Sequence, residues 1–256
     1  MITPDLTAYM TLARKEIKRI LRIWPQTLVP SMITQTLYFV IFGNFIGSRV
    51  GEVGGVSYMA FIVPGLVMMA VINNAYTNVS GSFFSSKFQR NIEELLVSPA
   101  PSWVIVCGYM SGGMFRANIV GLLVFIISCL FTHPQIHHLG IIILFTVLTS
   151  AVFALAGLLN GIFARSFDDV TIFPTFVLTP LTYLGGVFYS IKDLPVVWQN
   201  VSALNPILYM VNGFRYGFYG ISDVDVMASF LVICAFIIVL VGAIFYFLHK
   251  GIGLKN

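Results

Sequence analysis

Residues Val226 to His249 read VMASFLVICAFIIVLVGAIFYFLH, a run without a single Asp, Glu, Lys or Arg. As a helix it is about 36 Å long, enough to cross a hydrocarbon core of about 30 Å. Working outward, further long uncharged gaps lie at 23–48, 53–86, 95–115, 117–164, 170–191 and 194–214. A charge at the bilayer centre is costly, so such gaps locate spans. Spans are read at roughly Thr27 to Ile46, Tyr58 to Val79, Trp103 to Leu130, Leu139 to Ala164, within 170–191, and at 226–249. The gap 194–214 holds Pro195, Asn200, Ser202, Asn205-Pro206 and Asn212, all of which a free-standing span would have to bury. It reads as short helices at the interface or dipping partly into it, with Trp198 and Tyr209 at headgroup depth. The fold class is therefore an all-α polytopic membrane protein with six transmembrane helices, and seven is the alternative.

Composition agrees. Hydrophobic residues make up 58% of the 256 residues and charged ones 9%, against about 25% charged in a soluble domain. Mean hydropathy is +0.91. This excludes a soluble enzyme, a disordered chain and a nucleic-acid-binding domain. Ten Lys and Arg fall on the side of the termini, three (Arg49, Lys192, Arg215) on the other, and Arg116 is left inside a span. That bias places both termini in the cytoplasm. No cleavable signal peptide is visible, and the first span reads as a retained signal anchor. The chain is read as one membrane domain, with a cytoplasmic segment at 1–26, the six-span region at 27–249 and a tail at 250–256. Cys107, Cys129 and Cys234 lie in apolar stretches and form no disulfide framework.

Two segments outside the spans are helical by pattern. Leu6, Met10, Ala13, Ile17, Ile20 and Trp24 recur at helical spacing opposite Arg14, Lys18 and Arg22, which predicts an amphipathic helix ended by Pro25. Anionic lipid or a cytoplasmic partner would cover its apolar face. Between the second and third spans stands KFQRNIEELLVSP, Lys87 to Pro99. Phe88, Ile92, Leu95 and Leu96 give it one apolar stripe, with Lys87, Arg90, Glu93 and Glu94 around it. Such a stripe must be buried in lipid or in a partner, and the mixed charge favours a protein partner.

Inside the spans, Arg116 is the only charge, and an intramembrane ionisable group is a functional or structural anchor. Asn73, Asn74 and Asn78 give the second span a polar face that is either interhelical glue or the wall of a path. Pro174 and Pro180 break the fifth span and free the carbonyls of Val170 and Phe176, making a bend or a gate. Gly43, Gly47, Gly51 and Gly55, and Gly157 with Gly161, permit close helix contact. His133, His137 and His138 form a loop cluster that either binds a metal or is simply wet. No Gly-Lys dipeptide occurs, so there is no P-loop.

The loop Lys87 to Pro99 and the run Phe167 to Gly220 resemble bacterial ABC-2 type transporter permeases, and the likeness covers essentially the whole chain. The resemblance implies an inner-membrane exporter subunit that is not itself an enzyme and binds no cofactor, ATP and Mg being held by a partner. It implies a permease dimer with two copies of a separate ATP-binding subunit, in contact with membrane lipid and with no nucleic acid. Leu6 to Trp24 would be the connecting helix, and Ser86 to Val97 the coupling helix, contacting the ATPase through Lys87, Phe88, Arg90, Ile92, Glu93, Glu94 and Leu95. Asp193 to Gly220 would supply the extracellular helices, and Asn73, Asn74, Asn78, Thr179 and Thr182 would line the path. The cargo it implies is amphipathic, lipid-linked, glycan or drug-like. The alternative is an ion-coupled secondary transporter, against which stands the lack of any acidic residue within a span.

Overall fold

Lipid offers the backbone no hydrogen-bond partners, so each long apolar run closes its own bonds as a helix. The computed structural model describes residues 3–253, except the side chain of Leu96. Helix α1 is Pro4–Arg22; α2, Trp24–Tyr38, continues through a π-helical stretch, Phe39–Ile46, into α3, Gly47–Val50. A hairpin of β1, Glu52–Val53, and β2, Val56–Ser57, leads to α4, Tyr58–Phe88. Then come α5, Asn91–Val97, α6, Ser102–Ser128, and α7, Leu139–Phe163. The next helical run comprises α8, Phe167–Phe173, a π-helical stretch, Pro174–Leu178, and α9, Thr179–Tyr183. Last are α10, Val196–Ala203, α11, Pro206–Tyr219, and α12, Val226–Lys250. Among the described residues, five runs are long and apolar enough to cross a membrane: Trp24–Val50, α4, α6, α7 and α12. The fifth span read from the sequence corresponds to 167–183, which is helical throughout but shorter than these five.

Helix α4 is the hub, packed by α6, α7 and α11 and buried over most of its length. Buried side chains run all round it, as in a central helix. Helix α7 reaches it closely because Gly157 has no side chain: a Cβ there would lie 2.4 Å from the Tyr76 carbonyl oxygen.

The structure corrects three local expectations. Helix α1 ends at Ile23, which leaves helical geometry at φ −111°, ψ 30°, and Pro25 opens α2 instead of closing α1. In a first turn proline gives up no intrahelical bond. Gly51 and Gly55, with φ of +78° and +84°, flank or form the hairpin turn and do not extend the helix-contact stripe of Gly43 and Gly47. Part of the apolar face of α1 is buried by protein: Leu12, Ala13, Glu16 and Ile20 pack inward, and α1 lies along α6, while Met10 stays exposed.

The doubtful segment 194–214 folds as two short helices. Two of its asparagines are paired: Asn205 caps α11 by accepting from the Ile207 amide and donates to the Leu181 carbonyl. Asn212 accepts from the Asp223 amide at 2.8 Å. Helix α11 then packs on α4, α7 and α12.

Candidate functional site

The end of the bundle that carries α1 and α5 holds a polar joint. Leu12 and Glu16, one turn apart on α1, sit over Gly108 and Gly112, one turn apart on α6. Glu16 is only 1% exposed. Its Oε2 accepts from Ser82 Oγ of α4 at 2.7 Å and from Arg19 at 2.9 Å. Arg19 also donates to Asn78 Oδ1 at 3.2 Å. Tyr9 and Ser111 share a further bond at 2.9 Å. So α1 is pinned to α4 and α6 through side chains of both helices. Sequence reasoning missed Glu16, treating it as one more acidic residue outside the spans. The available signal was its register with Leu12 and Ile20, which puts it on the buried face of an amphipathic helix.

The segment read as one twelve-residue helix is divided. Helix α4 runs on to Phe88, and Arg90 takes a left-handed conformation, φ 63°, before the seven residues of α5. The expected apolar stripe does not face one way. Ile92, 1% exposed, joins the core cluster of Leu12, Phe83 and Ile105, and Leu95 packs beside it. The bundle itself therefore covers part of what the sequence assigned to lipid or a partner. Phe88 is 63% exposed and touches the rings of Phe84 and Phe167. Lys87 is buried, its Nζ donating to the carbonyls of Ile162 and Ala164 at 2.8 and 2.9 Å, which caps the end of α7. Arg90, Glu93, Glu94 and Val97 remain exposed. Between α1 and α5 lies a cleft of about 910 Å³ whose wall includes Thr11, Lys15, Glu94 and Leu95. The side chain of Leu96 lies outside the described residues.

The proposed path residues separate as well. Asn74 is buried, exchanging bonds with Ser31 of α2 and donating to the Ala70 carbonyl. Asn78 is buried and holds Arg19. Asn73 is half-buried and donates to the Met69 carbonyl. Thr182 is buried, bonded to the Leu178 carbonyl, and Thr179 bonds the Pro174 carbonyl. The carbonyl that Pro174 frees at Val170 accepts from Asn160 of α7 at 3.2 Å. Pro180 follows the π-helical stretch and stands in the first turn of α9.

Arg116 donates to the Thr27 carbonyl at 3.0 Å, fixing the start of α2 to α6. Arg215, counted from sequence among loop charges, is 1% exposed within α11, because that helix packs into the bundle. It donates to the Gly186 carbonyl at 2.6 Å and lies 4.0 Å from the Phe61 ring centroid. His138 stacks with Tyr216 and meets the His137 ring edge-on, and the described residues contain no group of three His, Cys, Asp or Glu able to hold a metal.

Long apolar helices around a buried hub, with two short helices held at one end, define a polytopic membrane protein rather than a globule with one apolar anchor. The ABC-2 type transporter family model matches residues 7–219, and the chain belongs to that family. It is 58% identical over 242 residues to the inner membrane transport permease YadH of Escherichia coli K12, covering 94% of each chain. It is 26% identical over 216 residues to nodulation protein J of Rhizobium leguminosarum bv. viciae, covering 83% of each. The chain is accordingly a multi-pass inner-membrane permease, the membrane subunit of an ABC transporter.

Proposed function

We propose that this permease is the membrane half of an ATP-driven exporter. It has six spans and both termini in the cytoplasm, works as a homodimer, and is energised by two copies of a separate ATP-binding subunit. The observation that carries the reading is the surface formed by α1 and α5. There Phe88 at the end of α4 and Glu93, Glu94 and Val97 of α5 are exposed beside a wide cleft, while Glu16 of α1, Lys87 of α4 and Ile92 of α5 lock these helices into the bundle. A surface that is outwardly free and inwardly rigid suits an element that receives force and passes it to the spans. The residues that contact the ATPase are then Phe88, Arg90, Glu93 and Glu94, while Lys87, Ile92 and Leu95 anchor the helix from within. The cargo is an amphipathic, lipid-linked, glycan or drug-like molecule. Ion coupling finds little support in Glu16: this buried carboxylate is already bonded to Arg19 and Ser82.

Co-expression with the ATPase encoded beside it tests the reading. The permease alone should hydrolyse no ATP, and the pair should purify as a complex of two plus two. Hydrolysis by the lone chain, or ion-driven uptake by it in liposomes, overturns the proposal.

A further inference from the structure

Helix α2 carries a polar stripe within the first span. Thr27, Ser31, Thr34, Gln35 and Tyr38 recur at helical spacing, and Trp24–Val50 has the lowest mean hydropathy of the five long runs, 1.3 against 3.0 for α12. Opposite it, α4 presents Asn73 and Asn74. Polar side chains at this depth do not face acyl chains without cost. Thr27 bonds the carbonyls of Ile23 and Trp24, Ser31 bonds Asn74, and Tyr38 meets the Tyr183 hydroxyl at 2.9 Å. Between those contacts lies a pocket of about 250 Å³, lined by Ser31, Thr34, Gln35, Asn73 and Asn74 over an apolar floor at Met69. Gln35 is 4% exposed, and its Oε1 has no hydrogen-bond partner. A buried carboxamide oxygen left unpaired costs about 1–3 kcal/mol.

We infer that this pocket binds an uncharged, hydroxyl-bearing group of the cargo, such as a sugar ring. The inference rests on the exporter reading and deepens it by naming the chemistry the path selects. Every polar side chain lining the pocket is neutral, so a charged headgroup finds no counter-charge there. A hydroxyl both donates and accepts, so it suits whichever end of the Gln35 carboxamide faces the pocket and also meets the Asn73 and Thr34 side chains. The volume of about 250 Å³ is enough for one ring. Of the path residues named from sequence, Asn73 and Asn74 belong to this pocket, whereas Asn78 and Thr182 are engaged elsewhere.

The test uses the full chain with Cys107, Cys129 and Cys234 replaced by Ser, reconstituted in vesicles of phosphatidylethanolamine and phosphatidylglycerol. Thr34→Cys is labelled with a small charged methanethiosulfonate, and Leu122→Cys, an exposed apolar position, serves as the lipid-facing control. Thr34→Cys should react and Leu122→Cys should not. Submicellar octyl glucoside should slow the reaction at Thr34→Cys about tenfold, while octyltrimethylammonium, with the same chain and a charged head, should slow it less than about twofold. Gln35→Leu should abolish the glucoside protection, and Asn73→Leu gives the same reading should Gln35→Leu not fold. Equal reactivity at the two cysteines, equal slowing by the two probes, or protection that survives both substitutions overturns the inference. If the glucoside protects but no ATPase copurifies, the exporter reading fails and the pocket stands; the reverse pattern removes the pocket alone.

Discussion

Removing the Glu16 carboxylate should detach α1 from the bundle while leaving the spans folded. Glu16→Ala deletes two charge-assisted bonds, from Ser82 at 2.7 Å and from Arg19 at 2.9 Å. A hydrogen bond to a charged group contributes about 1.5–3 kcal/mol. The Arg19 side chain is 37% exposed, so its share falls to the surface range of about 0.2–1 kcal/mol. Arg19 keeps its bond to Asn78, so no bare buried cation is left behind. Relief of the carboxylate's own desolvation offsets part of the loss. The net effect is therefore about 1–3 kcal/mol, borne by the α1 contact. Gly112→Ala reaches the same contact without touching the charge, because its Cβ would stand 2.7 Å from Glu16 Cβ. The assay is trypsin cleavage at Arg14, Lys15 and Lys18 in the purified permease, alongside its thermal midpoint. Both variants should be cut faster in α1, with the midpoint little changed if α1 undocks on its own. A double-mutant cycle between Glu16→Gln and Ser82→Ala measures the pair directly and should return a coupling above about 1 kcal/mol. Additive effects, together with wild-type cleavage in Gly112→Ala, would refute the docking argument.

Other substitutions separate the outward face from the inward one. Phe88→Ala should leave the thermal midpoint near wild type but lower the ATPase copurified per permease, whereas Ile92→Ala should cost about 2–5 kcal/mol of stability through a core cavity. Lys87→Met strands the carbonyls of Ile162 and Ala164 and should lower the midpoint by the equivalent of about 1–3 kcal/mol. Asn160→Ala should destabilise the wild type by about 1 kcal/mol but do less in a Pro174→Ala background, since the new backbone N–H at position 174 can serve the Val170 carbonyl itself; equal costs in both backgrounds break that link. A cysteine placed at Lys192 should be labelled by an impermeant thiol reagent in intact cells and one placed at Lys255 only once the cells are opened; labelling of both in intact cells would favour seven spans.

The long helices were legible because the bilayer makes a simple demand: about twenty residues without charge. Their ends were less so. Helix α4 outlasts its uncharged stretch because the Lys87 ammonium is satisfied by the α7 carbonyls, a partner 75 residues away that no local pattern announces. The hairpin at 52–57 went unread although Gly54-Gly55 between two valines is a recognised two-residue turn. The glycine spacing from Gly43 onward fits a helix stripe equally well, and only the positive φ of Gly51 and Gly55 decides between them. The stripe of Phe88, Ile92 and Leu95 is apolar as read, but it divides: Ile92 and Leu95 pack into the bundle beside Leu12, Phe83 and Ile105, whereas Phe88 stays exposed. Periodicity says that a face is apolar, not what covers each of its residues. Arg215 shows the same limit: a loop-like charge by sequence, it is buried once α11 folds back onto α4.

These placements bear on how motion at α1 and α5 reaches the middle of the membrane. Helices α1 and α2 are joined through one non-helical residue, Ile23, so α1 is not a rigid extension of the first span. Yet α2 is held along its polar face, by Arg116 at the Thr27 carbonyl, by Asn74 at Ser31 and by Tyr183 at Tyr38. Rotating α2 about its axis would break all three contacts and turn Thr34 and Gln35 toward lipid. Tilting it together with α4, α6 and α9, which carry Asn74, Arg116 and Tyr183, breaks none of them. Burial in lipid makes the first movement expensive and the second cheap. On the proposed coupling, a displacement received at α5 and α1 therefore reaches the pocket as a joint tilt, which moves its two walls, on α2 and α4, together and keeps the groups that line it.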